Sequence, residues 1–260
     1  VAENSTHQEL AAQRTALAAS NWNLAMPGIN HATANSVNFH LLGTQTEARL
    51  TEYGTQAEAI AKKVGVALKL PADKPLLKGK ITLYFFNQRY DYGEFGTMIE
   101  KRSLPRQWKG HFNYDIVDAY GTVLIPRSEE YTFDGLVAEH VAGIYARSMG
   151  DVPTWFSNGM SRVLAAQVVK GDARIDAWKE SVATAASRAA KSSDIVTGKL
   201  GGEDGALLSY SYVQFLRGNQ ARWNVLVKAV SNGANFKDAF TGAYGDTPEK
   251  ISEIWWKSGS

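Results

Sequence analysis

The sequence contains no cysteine among its 260 residues. Disulfide bridges, iron–sulfur clusters, covalently attached haem and cysteine nucleophiles are therefore excluded, and the redox compartment stays open. Histidine is scarce too, and no two copies stand three to five residues apart, the spacing typical of paired metal ligands. The five histidines are His7, His31, His40, His111 and His140.

A long apolar run and a strong excess of one charge are also missing. No stretch of 18 apolar residues occurs, so no segment is expected to span a bilayer. The 28 basic and 26 acidic residues give a formal charge of +2, too small to steer nucleic acid. Hydrophobic residues at 44% and charged residues at 21% are typical of a folded globular protein.

Two common catalytic signatures are absent as well. No G-x-S-x-G occurs, so a serine nucleophile on a strand-to-helix turn is not indicated. The Gly-rich segment 198–205 lacks the Lys-Ser/Thr pair of a phosphate loop, and we interpret it as a flexible connection.

The order of the predicted elements favours an α+β fold, because strands come first and helices second. Strands are predicted at 37–42, 81–86 and 122–126. Helices are predicted at 5–19, 44–64, 134–149, 154–169, 174–191, 205–217, 220–231, 235–243 and 247–257. Residues 87–120, rich in aromatics, glycine and charges, are predicted as a long loop region.

The stretch A-E-H-V-A at 138–142 lies in the first helix of the helical half. Positions 138 and 142 are one turn apart, so their side chains project from one face. Two histidines at that spacing, with a glutamate after the first, form the zinc-binding H-E-x-x-H motif of metallopeptidases. This chain has Ala138, Glu139 and Ala142, which is the general base without either ligand.

The next helix opens with P-T-W-F-S-N-G-M at 153–160. With the preceding helix, it resembles the gluzincin metallopeptidases, most closely the peptidase-MA-like group of bacterial proteins. There an H-E-x-x-H helix precedes a P-x-W-x-x-E-G segment whose glutamate is the third zinc ligand. Pro153, Trp155 and Gly159 match that segment, and Asn158 stands at the ligand position. The flanks agree over about residues 37–257, including I-T-L-Y-F-F, S-Y-S-Y-V-Q-F-L and the closing residues.

The resemblance implies a zincin-like, thermolysin-type fold with a small N-terminal sheet, followed by an all-helical half. It divides the chain into an N-terminal helix and connector at 1–36 and a zincin-like domain at 37–257. Within that domain, 37–150 would form the strand-containing subdomain with the former active-site helix. Residues 151–257 would form the helical subdomain.

The resemblance also implies that the metal site is missing. Ala138 and Ala142 offer methyl groups and Asn158 a neutral amide, whereas zinc prefers imidazole, thiolate or carboxylate. Glu139 is then a vestigial base, and we expect no metal and no cofactor. His140 lies about 200° round the helix from Ala138 and is expected to point elsewhere.

The same residues have purely structural interpretations. Two alanines on one helix face allow close packing, Trp155 and Phe156 suit a core, and Glu139 suits a salt bridge. Tyr210 or Tyr212 could match the hydroxyl that helps to stabilise an oxyanion in active gluzincins, although without a metal it has no charge to act on.

Aromatics interleaved with charges in 89–100 and 106–115 indicate a protein interface. The alternative is a loop packing over the old cleft. The candidate interface residues are Tyr90, Tyr92, Phe95, Trp108, Phe112 and Tyr114.

The sequence therefore predicts a catalytically inactive metallopeptidase-like domain, a binding or structural module whose partners are other protein subunits. Its residual cleft could hold a peptide. The resemblance suggests a bacterial, exported protein, periplasmic or on the cell surface. Because the sequence begins with Val1 and shows no charged-then-apolar leader, we expect its start to be processed or truncated. One alternative is an active hydrolase that uses unrecognised groups or holds metal through His111, His40 or Glu139. Another is a purely structural subunit or a fragment of a longer polypeptide.

Overall fold

The computed structural model describes residues 4–71 and 75–259. Its strands are β1 (Ala32–Asn35), β2 (Phe39–Gly43), β3 (Ile81–Phe86), β4 (Phe112–Tyr114) and β5 (Ala119–Leu124). The helices of the first half are α1 (His7–Ala25), α2 (Glu47–Ala67), α3 (Arg89–Ile99) and α4 (Phe133–Ser148). Those of the second half are α5 (Thr154–Val168), α6 (Ala173–Arg188), α7 (Ser193–Val196), α8 (Gly202–Arg217), α9 (Gln220–Ser231), α10 (Phe236–Tyr244) and α11 (Pro248–Lys257).

The five strands form one mixed sheet in the order β1-β2-β3-β5-β4. The three central strands are parallel, and the edge strands β1 and β4 run antiparallel to their neighbours. Every residue of the central strand β3 is buried, because helices cover both faces of the sheet. The α+β class predicted from the sequence is confirmed.

Two groups of buried side chains occupy the two faces of this sheet. The larger one includes Leu41, Leu83 and Phe85 and continues through α2, α4 and α5 into the helical half. The smaller one contains Trp22 of α1 and the alternate β3 residues Tyr84 and Phe86. Successive strand residues point to opposite faces, which is why one β-prone run contributes to both groups.

The N-terminal segment shares this sheet. The predicted boundary after residue 36 falls between β1 and β2, which pair with Ala34 opposite Leu41. Arg14 of α1 is only 2% exposed, and its guanidinium donates to three backbone carbonyls. The acceptors are Lys78 O at 3.1 Å, Lys80 O at 3.0 Å and Ile116 O at 2.8 Å. The described residues before 37 are therefore continuous with the sheet-containing part.

Residues 87–120, predicted as a long loop region, contain the helix α3 and the strand β4, so that prediction is wrong. Tyr92 and Phe95, three residues apart on α3, are fully buried against the sheet, so their proposal as interface residues is wrong. Of the other candidates, Tyr90 is 73% exposed. Trp108, Phe112 and Tyr114 are half-buried.

Among the residues that the structure describes, no helix combines the length and the apolar character that crossing a bilayer requires.

Candidate functional site

A cleft of about 610 Å³ opens beside α4. Its walls come from residues 107–112, from the facing sides of α4 and α5, from the start of α6, and from 195–209. Glu139 and Asn158, which the sequence analysis singled out on separate helices, both line it. Residues 107–112 form one wall, so the loop region predicted to pack over the cleft does contribute to it.

The register of α4 differs from the predicted one. Ala138 and Ala142 are both 0% exposed and belong to the larger core, and neither lines the cleft. The cleft side of α4 carries Glu139, His140 and Arg147. The residue one turn after Glu139 on that side is Gly143. On the cleft face, the two positions that match the histidine ligands of H-E-x-x-H are therefore 139 and 143. The sequence analysis had placed them one residue earlier, at Ala138 and Ala142.

Gly143 is covered by Phe112 of β4. A β-carbon added at Gly143 would overlap the Phe112 ring. Phe112 also lines the cleft and lies 6.2 Å from the His140 ring, measured between centroids. The ring thus fills the space that a longer side chain at position 143 would need.

Glu139 is held by two arginines from neighbouring helices. Its Oε1 lies 3.7 Å from Arg162 Nε, and its Oε2 is ion-paired with Arg174 Nη1. Both guanidinium groups lie over the indole of Trp178, at 4.7 and 5.3 Å from the ring centroid. Arg162 Nη2 also donates to Glu203 Oε2 at 2.8 Å. Since Glu139 is only 9% exposed, this carboxylate acts as a buried ion-pair partner.

His140 was expected to point away from the site, and that expectation is wrong. It lines the cleft, and its ring turns towards the sheet, where Nε2 donates to Thr122 O at 2.8 Å. Burial lowers the pKa of His140 to about 3, so the imidazole is neutral near pH 7. Gly121 of β5 permits this approach, because a β-carbon there would come within 2.6 Å of the ring. Gly121 stands one residue before the predicted strand 122–126, and a glycine next to a strand could have signalled such a close approach.

Asn158 faces the cleft from the first half of α5. It stands four residues before Arg162, so both side chains project from one face of the helix. The N-cap of α5 is Pro153, which makes no side-chain hydrogen bond to the helix start. Thr154 and Trp155, the first two residues of α5, line the same cleft.

The sequence analysis missed a buried polar network behind the cleft. His111 Nε2 pairs with Glu100 Oε1, and Nδ1 lies 2.7 Å from the hydroxyl of Tyr92. Glu100 also accepts from Tyr120 at 2.6 Å and from Arg102 at 2.6 Å. Burial raises the pKa of Glu100, but hydrogen bonding and charge from His111, with Tyr120 and Arg102, outweigh it and lower the pKa to about 2. Glu100 and His111 fell in the predicted loop, where no periodicity links them.

The residues present do not fit a zinc ion. Within 4–71 and 75–259, no three His, Asp or Glu side chains are grouped so that they could hold a metal. His111 is engaged with Glu100, and His40 lies on β2 with Nδ1 3.3 Å from Asn35 Oδ1. Among the described residues, none of His111, His40 and Glu139 belongs to a group of three side chains that could hold a metal ion.

The two candidate tyrosines do not reach the cleft either. Tyr212 is buried and donates its hydroxyl to Pro248 O at 2.8 Å. Tyr210 packs its ring 5.8 Å from that of Trp178, and neither tyrosine lines the cleft. The expectation that one of these hydroxyls could stabilise an oxyanion in the cleft is therefore wrong.

Comparison of the chain with protein-family models and with curated protein sequences found no match to either.

Proposed function

We propose that this chain is a zincin-like domain without peptidase activity, which acts as a binding or structural module in a larger protein assembly. The observation that carries the proposal is the ion pairing of Glu139 with Arg162 and Arg174 in the cleft. In the register that the cleft sets, Glu139 stands at the first of the two ligand positions of α4, where a carboxylate must be free to give its oxygens to a metal ion. A carboxylate engaged by two guanidinium groups is not free to coordinate in that way.

The arrangement of elements supports the fold part of the proposal. A mixed sheet with an antiparallel edge strand, β4, precedes α4, and α5 follows it across the cleft. This order agrees with the one the resemblance implies, with the motif helix after the strands and the third-ligand helix next. Glu139 of α4 and Asn158 of α5 therefore line the same cleft.

The electrostatics of the cleft oppose a divalent cation. Arg162 and Arg174 place two positive charges at the only carboxylate of the motif helix that lines the cleft. Opposite Glu139, Asn158 supplies an amide, and Gly143 supplies no side chain at all. Because zinc sites require at least three protein ligands such as imidazole or carboxylate, these positions do not replace them.

The binding part of the proposal rests on the open side of the cleft. Trp108 and Phe112 are half-buried aromatics in its wall, and β4 is an edge strand of the sheet. Edge strands offer backbone N–H and C=O groups to an extended peptide, and nearby pockets receive alternate side chains. We propose that a segment of a partner subunit binds here.

Export to the periplasm or cell surface remains a prediction, which cell fractionation tests.

The first experiment measures zinc by inductively coupled plasma mass spectrometry on untagged protein that has never met a chelator. The same sample is incubated with a general protease substrate. We expect zinc far below one atom per chain and no hydrolysis above that of buffer. About one zinc per chain together with hydrolysis would overturn the proposal and restore the active hydrolase with unrecognised ligands.

A further inference from the structure

The charge of the cleft wall is strongly one-sided. Five cationic side chains and two carboxylates line it, a net formal charge of +3 with the histidines neutral. The cationic residues are Arg102, Lys109, Arg147, Arg162 and Arg174, and the carboxylates are Glu139 and Glu203. Glu100 and Glu130, which do not line the cleft, pair with Arg102 and Lys109 and offset two of these positive charges.

Arg147 is the cation of this wall that the fold leaves unneutralised. The other four are each paired with a carboxylate, for example Arg102 with Glu100 and Lys109 with Glu130. Within the described chain, the side chain of Arg147 makes neither a hydrogen bond nor an ion pair, and its one aromatic contact is Phe112 at 5.9 Å. Burial lowers the pKa of Arg147, and the nearby charge of Arg102 lowers it further. An anion beside Arg147 would favour its charged form and so raise this pKa again.

Buried groups without partners in the wall are mostly hydrogen-bond donors. Arg162, with 9% of its surface exposed, has no partner for Nη1, and Trp155, with 4% exposed, has none for Nε1. Arg174 Nη2 has no hydrogen-bond partner, and Arg174 Nε has only a longer ion-pair contact with Asp172 Oδ1 at 3.7 Å. The one unpartnered acceptor among these residues is His140 Nδ1. Because buried polar groups are normally satisfied, an excess of donors indicates a ligand or solvent rich in acceptor oxygens.

Two helix starts face the same cleft. α5 begins at Thr154 and α8 at Gly202, and neither has a side-chain N-cap. The first backbone N–H groups of a helix lack partners within the helix, and its dipole favours negative charge there. Glu203 and Asp204 in the first turn of α8 are directed to Arg162 and Arg188, respectively.

We propose that the cleft binds a small ligand bearing carboxylate or phosphate oxygens, which accept hydrogen bonds from Arg147 and from the unpartnered donors of the wall. A volume of about 610 Å³ lies within the range of small-molecule sites. Guanidinium groups suit both kinds of oxyanion, since each can receive two parallel N–H bonds. The proposal concerns ligand chemistry and does not depend on the lack of peptidase activity.

The test is isothermal titration calorimetry of the full chain with inorganic phosphate and, separately, with citrate, at an ionic strength held constant with sodium chloride. We expect saturable binding of at least one anion, and the tighter of the two distinguishes phosphate from carboxylate oxygens. Arg147→Gln should bind it roughly tenfold more weakly or worse, as expected for a lost hydrogen bond to a charged group. Arg222→Gln removes the same charge from α9, which does not line the cleft, and should bind normally.

A second measurement needs no variant. In the unaltered protein, the indole N–H signals of Trp108 and Trp155 should shift on addition of the bound anion in an NMR titration, because both rings line the cleft. No saturable binding of either anion at millimolar concentration would overturn the proposal. So would equal weakening by Arg147→Gln and Arg222→Gln, or binding that leaves both cleft indoles unshifted, since each indicates attraction by surface charge alone.

Discussion

Phe112 of β4 lies so close to Gly143 of α4 that a β-carbon at position 143 would overlap its ring. A glycine within a helix costs about 1 kcal/mol relative to alanine. The close packing of the phenyl ring on the bare backbone offsets that cost. This contact joins the edge strand of the sheet to the helix that contributes Glu139 and Arg147 to the cleft wall.

Gly143→Ala is expected to destabilise the protein by about 1–3 kcal/mol, because the added methyl group overpacks the contact with Phe112. Gly65→Ala on α2 is the matched control, since a β-carbon there meets nothing within 4 Å. The control should gain up to about 1 kcal/mol from helix propensity. Urea unfolding followed by circular dichroism measures both. Equal stabilisation by the two substitutions would contradict the close contact.

Glu139→Gln should lower the free energy of unfolding by about 2 kcal/mol, because Arg162 and Arg174 lose their shared carboxylate in a mostly buried place. The exposed Glu180→Gln on α6 changes the same charge and should cost less than about 0.5 kcal/mol. Thermal and urea unfolding give the comparison. If both variants were equally stable, the ion pairs at Glu139 would be too weak to occupy its carboxylate.

Asp172 connects the starts of α4 and α6. Its Oδ2 accepts from the backbone N and the Oγ1 of Thr132, both at 2.9 Å. Its Oδ1 accepts from the backbone N–H groups of Arg174 at 3.1 Å and Ile175 at 3.3 Å. Asp172→Ala should therefore cost about 3 kcal/mol, which combines the loss of a helix cap with unpaired buried donors.

The control for that substitution is Asp176→Ala, which removes an exposed carboxylate from the first turn of the same helix. It should cost no more than about 1 kcal/mol, the usual effect of a charge on the helix dipole. Urea unfolding at neutral pH measures the two variants side by side. Similar costs for Asp172→Ala and Asp176→Ala would show that the link to Thr132 contributes nothing.

Glu100 makes the free energy of unfolding depend on pH in the acid range. Its pKa falls from the ordinary value of 4.5 to about 2 on folding, so its contribution to stability is complete above pH 4.5 and disappears as the pH falls towards 2. The unfolding free energy of the unaltered protein should therefore exceed that of Glu100→Gln at pH 6 and approach it below pH 3. Urea titrations at several pH values measure this difference. A difference that did not change with pH would rule out a depressed pKa.

Several elements could be predicted closely from the sequence alone. β3 has the predicted bounds of 81–86, because its six consecutive β-prone residues show no helical periodicity that would compete with a strand. α9 also matches at 220–231, where Asn219 accepts from the backbone N–H of Arg222 as an N-cap. α3 was missed, since Gly93 and Gly96 lower helix propensity. Gly96 is needed there, because a β-carbon would overlap Leu104.

The candidate site divides in the same way. By itself, the sequence determined the α+β class, the place of Glu139 and Asn158 on consecutive helices, and the missing histidine ligands. It could not determine which side of α4 faces the cleft. Twelve of the 16 residues of α4 are buried, so its apolar residues surround the helix and define no single face. Only the packing of α4 against the sheet, α2 and α5 decided that Ala138 and Ala142 enter the core, while Glu139 meets two arginines.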